Sequence, residues 1–259
     1  MAEQTVDGRA GLEIVPMQEK HIPAVVSIYR TSFVGAFLAR LGPQFLHVMF
    51  RALIEGTPRE CSLVCVDANN EVVGFVCGSQ NRAAYLRSFL RRHLADSLPA
   101  VAAAAVRDPA LVMELLRRIP TLSRDLYRSW RRPTSSLNDL PAASLMTIAV
   151  AGSWRNRGVG NLLVKAFMVA MANQRVPDLR LAVSEDNLKA RHLYERLGWR
   201  PASVVRRSNS SNLYYIRSLI PAEIERTESS NGLAGLPQKS DVVRPDERDL
   251  RQERVDPGS

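Results

Sequence analysis

The chain has 259 residues, 46% hydrophobic and 24% charged, and a formal net charge of +9. That balance excludes collagenous, mucin-like and wholly disordered chains, and the length suffices to bury a sizeable core. Three cysteines, Cys61, Cys65 and Cys77, lie in apolar surroundings; an odd number without C-x-x-C spacing excludes a disulfide framework and a zinc site, and fits a reducing compartment. Residues 1–11 are polar and lack an apolar h-region, so they are expected to be a flexible N-terminus rather than a secretory signal. The longest apolar run, Leu98–Val106, falls well short of the ~20 residues that span a bilayer. The expectation is a soluble, cytoplasmic protein.

The charge is unevenly placed. Residues 82–132 hold eleven Arg, no Lys and four acidic residues, whereas 221–259 hold nine acidic and six basic residues. An Arg-rich stretch attracts any polyanion, whether nucleic acid, anionic lipid or a phosphorylated small molecule. Aromatic residues are only 6% and no nucleic-acid motif accompanies the charge, so specific nucleic-acid binding is not expected.

In chain order, Leu12–Val15 reads as a strand, and Ile22, Val25, Val26 and Tyr29 recur at helical spacing. Gly42-Pro43 opens a second helix whose expected buried face is Phe45, Val48, Met49, Ala52 and Leu53. Glu60–Val66 and Val72–Cys77 form a hairpin about the turn 67–70. Over 82–132 the pattern is helical and basic, with Pro99, Pro109, Pro120 and Pro133 expected to cut it into short helices carrying Tyr85, Phe89, Leu90, Leu111, Leu115, Leu116, Leu122, Leu126 and Trp130. A strand at Ser144–Val150 leads to a helix at Gly158–Asn173 with Leu162, Leu163, Ala166, Phe167 and Ala170 inward. Another strand (Leu179–Val183) and helix (Asn187–Leu197) follow, closed by Gly198 as C-cap, then strands near Ala202–Arg206 and Leu213–Leu219. The composition of 221–259 predicts a disordered tail.

The informative stretch is Leu145–Trp199. A strand ending at Val150 reaches a helix through Arg155-Asn156-Arg157-Gly158-Val159-Gly160. Glycines admit a phosphate close to the backbone, the helix N-terminus favours an anion, and two arginines add positive charge. A P-loop would need Gly-Lys-Ser/Thr, but Gly160 is followed by Asn161-Leu162; the dinucleotide fingerprint would need a third Gly where Leu163 stands. Two glycines in such a turn are also an ordinary structural device.

With Val183-Ser184-Glu185-Asp186-Asn187, Ala190, Tyr194 and Leu197-Gly198-Trp199 following in order, the stretch resembles the GCN5-related N-acetyltransferase (GNAT) superfamily. The resemblance implies an α/β (α+β) fold: a mixed, mostly antiparallel sheet flanked by helices over 12–220, with 82–132 as an Arg-rich helical insertion. It implies acetyl-CoA, or another acyl-CoA, as donor co-substrate, with no metal. The backbone of Ile148, Ala149 and Val150 would pair with the pantetheine arm, amides from Arg155 through Gly160 would hold the pyrophosphate, and Asn187 would contact the arm. Tyr194 would protonate the departing thiolate, and a strand amide such as that of Ala149 would stabilise the oxyanion.

Each residue also has a plainer role: Tyr194 as a packed aromatic, Asn187 as a helix cap, Arg155 and Arg157 as surface charge. His192 is expected on an exposed helix face, and His21, His47 and His93 show no metal spacing. A general base is not evident: Ser144–Val150 offers no Glu, and Glu185 and Asp186 equally suit a first helical turn.

The phrase Ser32-Phe33, Phe37-Leu38, Leu41-Gly42-Pro43 and Phe45-Leu46, with the insertion, resembles GNAT members of amino-sugar and polysaccharide pathways. That implies a small-molecule amine acceptor such as an amino sugar or nucleotide-linked amino sugar, whose phosphates Arg would grip. The same Arg-rich helices suit peripheral contact with an anionic inner membrane face, and equally a solvated lid with ordinary helix-surface charge. A protein or peptide N-acetyltransferase and a non-catalytic acyl-CoA-binding domain are the alternative readings. The oligomeric state, monomer or homodimer, stays open.

Overall fold

The computed structural model describes residues 5–7, 11–56, 59–116, 142–207 and 210–219. The expected features at 117–141, including Pro120, Pro133, Leu122, Leu126 and Trp130, and the tail from 220 onward lie outside the described residues. Strands β1 (Thr5–Asp7), β2 (Leu12–Pro16), β3 (Glu60–Val66), β4 (Val72–Ser79), β5 (Ala142–Val150), β6 (Asp178–Ser184), β7 (Arg200–Arg207) and β8 (Ser210–Ser218) form one sheet in the order β1-β2-β3-β4-β5-β6-β8-β7. Every neighbouring pair is antiparallel except β5–β6, which is parallel. This is the mixed, mostly antiparallel sheet flanked by helices that the motif order implied.

The helices are α1 (Ile22–Ser32), α2 (Phe37–Arg40), α3 (Pro43–Ile54), α4 (Arg82–Arg92), α5 (Leu94–Arg107), α6 (109–116), α7 (Val159–Asn173) and α8 (Leu188–Arg196). They divide between the two faces of the sheet. Side chains of α7 and α8 share one core with Leu12, Ile14, Cys61, Cys65 and Val76, while those of α1, α3, α4 and α5 share another with Val64, Val66, Phe75 and Cys77. Central strands covered on both faces are apolar at successive positions, as β3 and β4 are.

Several expectations change in three dimensions. Thr5–Asp7, placed in the flexible N-terminus by its polarity, pairs antiparallel with Leu12–Ile14 as an edge strand. In α3 Phe45, Ala52 and Leu53 are buried as expected and Leu46 and Phe50 join them, while Val48 and Met49 are half-buried. In α7 the buried set includes Val159, Val164, Met168 and Met171, with Leu162, Ala166 and Ala170 only partly covered. Pro99 does not end a helix but lies within α5. It stands on the exposed side, where water can reach the Ala95 carbonyl that a proline leaves without an amide partner. Of the apolar residues in the helical pattern of the insertion, Leu90 and Leu116 are exposed.

Candidate active site

β5 and β6 pair only at their beginnings. Their register runs from Ala142↔Asp178 to Leu145↔Leu181 and stops there. On the outer sides, β4 stays paired with β5 as far as Val150, and β8 with β6 as far as Ser184. The cause lies in β5, where Cys77↔Thr147 is followed by Gly78↔Leu145, leaving Met146 as an extra residue. A bulge of this kind bends its strand and sharpens the local twist. The sheet therefore has an internal gap, walled on one side by the free edge of β5 beyond Leu145.

The register also shows which peptide groups face that gap. The Ala151 amide donates to the Val73 carbonyl at 2.8 Å, and Ala149 lies opposite Phe75 two residues back. Alternation then directs the peptide groups of Ala149 to β4 and those of Ile148 and Val150 into the gap. The Ala149 amide, expected to meet an oxyanion, is turned away from it. Ile148 and Val150 carry the gap-facing amides, and the Val150 carbonyl accepts from Arg155 Nε at 3.1 Å.

The chain leaves β5 through a short 3-10 turn (Gly152–Trp154) and enters α7 by way of left-handed backbone at Asn156 (φ 62°) and Gly158 (φ 87°). The first helical bond runs from the Leu162 amide to the Gly158 carbonyl, so the amides of Val159, Gly160 and Asn161 precede the helix's own ladder. A Cβ at Gly158 would meet nothing within 4 Å, so this helix end is open. A Cβ at Gly160 would stand 3.5 Å from Leu193 Cδ2 and 3.9 Å from Val150 Cγ2. The end of β5, the start of α7 and the middle of α8 thus converge at Gly160.

Two glycines of β4 hold α7 close to the sheet. A Cβ at Gly78 would press into the Phe167 ring and lie 2.6 Å from the Ser144 carbonyl oxygen; one at Gly74 would lie 3.0 Å from the Ala149 carbonyl oxygen. Sequence reasoning passed over both, although a glycine inside an apolar strand signals close approach.

The two loop arginines divide their roles. Arg155 is a brace: besides the Val150 carbonyl, its Nη2 donates to Ser32 Oγ at 3.0 Å, tying the loop to the end of α1. Arg157 stays exposed, its guanidinium 5.3 Å from the centroid of the Trp154 ring. Both keep positive charge near the amides at the start of α7.

On α8, Asn187 caps the helix, its Oδ1 accepting from the Ala190 amide at 3.2 Å. Its side-chain amide retains its donors. Tyr194 is 4% exposed, its ring centroid 6.0 Å from that of Trp199 and 6.2 Å from that of Tyr215. Burial pushes its phenol up to about 12. Tyr215, which the sequence did not single out, donates its hydroxyl to Glu195 Oε1 at 2.6 Å. Glu185 is half-buried, and its peptide groups are engaged: the amide donates to the Ser211 carbonyl, and the carbonyl accepts from Arg191 Nη1. Asp186 and His192 are exposed. Beside the bulge, Thr147 Oγ1 is buried without a hydrogen-bond partner among the described residues.

Among the described residues, no group of three His, Cys, Asp or Glu could hold a metal ion, and no helix is long and apolar enough to cross a membrane.

The model of the acetyltransferase (GNAT) family matches residues 126–199. No curated protein matches the chain. Among solved structures, a GCN5-related N-acetyltransferase from Kribbella flavida is similar at a TM-score of 0.54 and 17% identity, covering 81% of this chain and 98% of its own. A GNAT-superfamily phosphinothricin acetyltransferase from Sinorhizobium meliloti, in complex with AcCoA, is similar at a TM-score of 0.52 and 12% identity, covering 92% of this chain and 97% of its own. An N-acetyltransferase from Staphylococcus aureus Mu50 gives 0.51 and 13%, covering 81% and 99%. The chain has the GNAT acetyltransferase fold.

Proposed function

We propose that the protein transfers an acetyl group from acetyl-CoA to the primary amine of a small molecule, by direct attack in a ternary complex. The observation that carries this reading is the gap between β5 and β6, with the glycine-led start of α7 at its mouth. An extended, amide-bearing arm can pair with the Val150 amide and the Ile148 carbonyl as an added strand would, the Val150 carbonyl being held by Arg155. A pyrophosphate suits the open amides at the start of α7, with Arg157 beside them and the loop held by Arg155. Asn187, at the head of α8, keeps donors for the arm's carbonyls.

Acetyl-CoA supplies the thioester. The amine attacks its carbonyl carbon, a C–N bond forms, and the C–S bond breaks to leave the thiolate. The gap-facing amide of Ile148, two residues further from α7 than the Val150 amide that pairs with the arm, is the chain's donor for the developing oxyanion. Tyr194 gives its proton to the thiolate, the nitrogen cation formed by the attack loses one to water, and the Tyr194 phenolate takes one back from water. Burial sets the energetics of that transfer. It pushes the Tyr194 phenol up to about 12, and dry surroundings make a leaving thiolate more basic than it is in water, so both partners shift in the same direction.

An amino sugar or nucleotide-linked amino sugar is the acceptor class we favour, because the described part of the Arg-rich insertion, 82–116, lies on the same face of the sheet as α1 and Arg grips phosphates bidentately. Calorimetric titration with acetyl-CoA, with ATP as control, tests the donor. Micromolar binding that requires the CoA moiety supports it, and absence of binding overturns it. Turnover with amino-sugar nucleotides against simple amines then tests the acceptor.

A further inference from the structure

The helix α5 is apolar on the side that faces away from the protein. Its inner side buries Ser97 and Ala104. Its outer side carries Ala95, Leu98, Pro99, Ala102 and Val106, all exposed, with Leu98 at 56% and Val106 at 84%. In α6, Met113 and Leu116 are also more than half exposed. A helix that is apolar on both sides belongs at an interface or a membrane surface rather than in open water.

The charges around this face are arranged to suit one kind of partner. Arg91 and Arg92 end α4 and Arg107 ends α5, all three exposed. Two of the neighbouring acids are already taken: Arg40 of α2 donates to Asp108 Oδ2 at 2.5 and 2.9 Å, and to Glu114 Oε2 at 2.7 Å. Asp96 is the remaining acid of the described insertion, and it lies 3.9 Å from His93. In the chain, the apolar face of α5 is preceded by Arg91 and Arg92 and followed by Arg107.

We propose that the outer face of α5 and α6 docks on an anionic lipid bilayer. Leu98, Val106 and Met113 enter the boundary between headgroups and acyl chains, and Arg91, Arg92 and Arg107 lie against lipid phosphates. The contact is peripheral, since no described helix can span a membrane. The rival occupant is a second copy of the chain. Two-fold pairing through this face would bring its arginines against those of the other copy, whereas an anionic bilayer offers apolar depth and negative charge together. The proposal does not rest on the donor reading.

The test is co-sedimentation of the full chain with vesicles of phosphatidylglycerol and phosphatidylcholine, beside vesicles of phosphatidylcholine alone. Wild-type protein should partition to the mixed vesicles roughly tenfold or more better, and lose that preference in high salt. The double variant Leu98→Glu, Val106→Glu should lose binding with its melting temperature unchanged, because both side chains are exposed. Arg92→Gln with Arg107→Gln, outside the apolar face, should weaken binding to the mixed vesicles only. No vesicle binding by the wild type, or equal binding by wild type and both variants, overturns the proposal. So does a wild-type dimer that the Glu pair converts to monomer while vesicles capture neither.

Discussion

α7 and α5 are helices of 15 and 14 residues lying on opposite faces of one sheet, and they are held in opposite ways. Seven residues of α7 are buried, and glycines in β4 let it lie close to the backbone beneath. Only Ser97 and Ala104 of α5 are buried, and the α5–α6 junction is fastened from outside by the Arg40 pair. Both helices are rich in apolar residues, but one spends them on the protein's own core and the other leaves them facing outward. Apolar content alone thus says nothing of where a helix stands. The residues beneath it do: Gly74 and Gly78 under α7, an arginine clamp beside α6.

The largest expected effect is on packing. Gly78→Ala should cost about 3 kcal/mol, because the new methyl meets both a strand carbonyl and the Phe167 ring; urea denaturation measures it. Val106→Ser on the outer side of α5 should stay within about 0.5 kcal/mol. Equal losses at the two positions would erase the contrast between the helices.

Next in size is a kinetic effect confined to the α7–α8 side. Tyr194→Phe should lower kcat about 100-fold, the usual contribution of a positioned acid, and leave acetyl-CoA affinity unchanged in calorimetry. Because burial raises this phenol to about 12, wild-type kcat should show no loss of the acid as pH rises through 10. An earlier fall would mean that some other group donates the proton.

The loop arginines sharpen the picture further. Arg157→Glu should weaken acetyl-CoA binding about tenfold, about 1.4 kcal/mol, with the melting temperature unchanged. Arg155→Ala should lower both affinity and melting temperature, since it removes the tie between Ser32 and the Val150 carbonyl. If the two variants behave alike, Arg155 is not a brace.

The smallest effect concerns the clamp. Arg40→Ala removes the ties to Asp108 and Glu114, and limited proteolysis should then cut within α5–α6 faster while the sheet resists as before. Unchanged cleavage would show that α5 is held by something other than these ion pairs.

Much of this arrangement was legible in the sequence, for reasons that show where legibility ends. Ile22, Val25, Val26 and Tyr29 announce α1 by spacing alone, and the motif from Arg155 to Gly160 sits at the start of α7 as its residue types suggest. Asn187 and Gly198 act as the caps their chemistry favours. The Met146 bulge was not legible, because an extra residue is defined only against the register of a partner strand, here Cys77 and Gly78. For the same reason the motif named Ala149 as a gap-facing amide, whereas the pairing of Ala151 with Val73 turns it to β4. Arg155 looked like free charge because its partner Ser32 lies 123 residues away. Pro99 looked like a helix end because sequence does not show that its side of α5 is exposed.

The four residue pairs between Ala142–Leu145 and Asp178–Leu181 have a mechanical consequence. Among the described residues they are the only ladder joining two leaves of the sheet across a seam, one ending at β5 and the other beginning at β6. A donor lying along that seam would touch both leaves and act as a clasp. Hydrogen exchange in β6 and β8 should then slow on acetyl-CoA addition, in step with protection at Ile148 and Val150, as one cooperative unit rather than two.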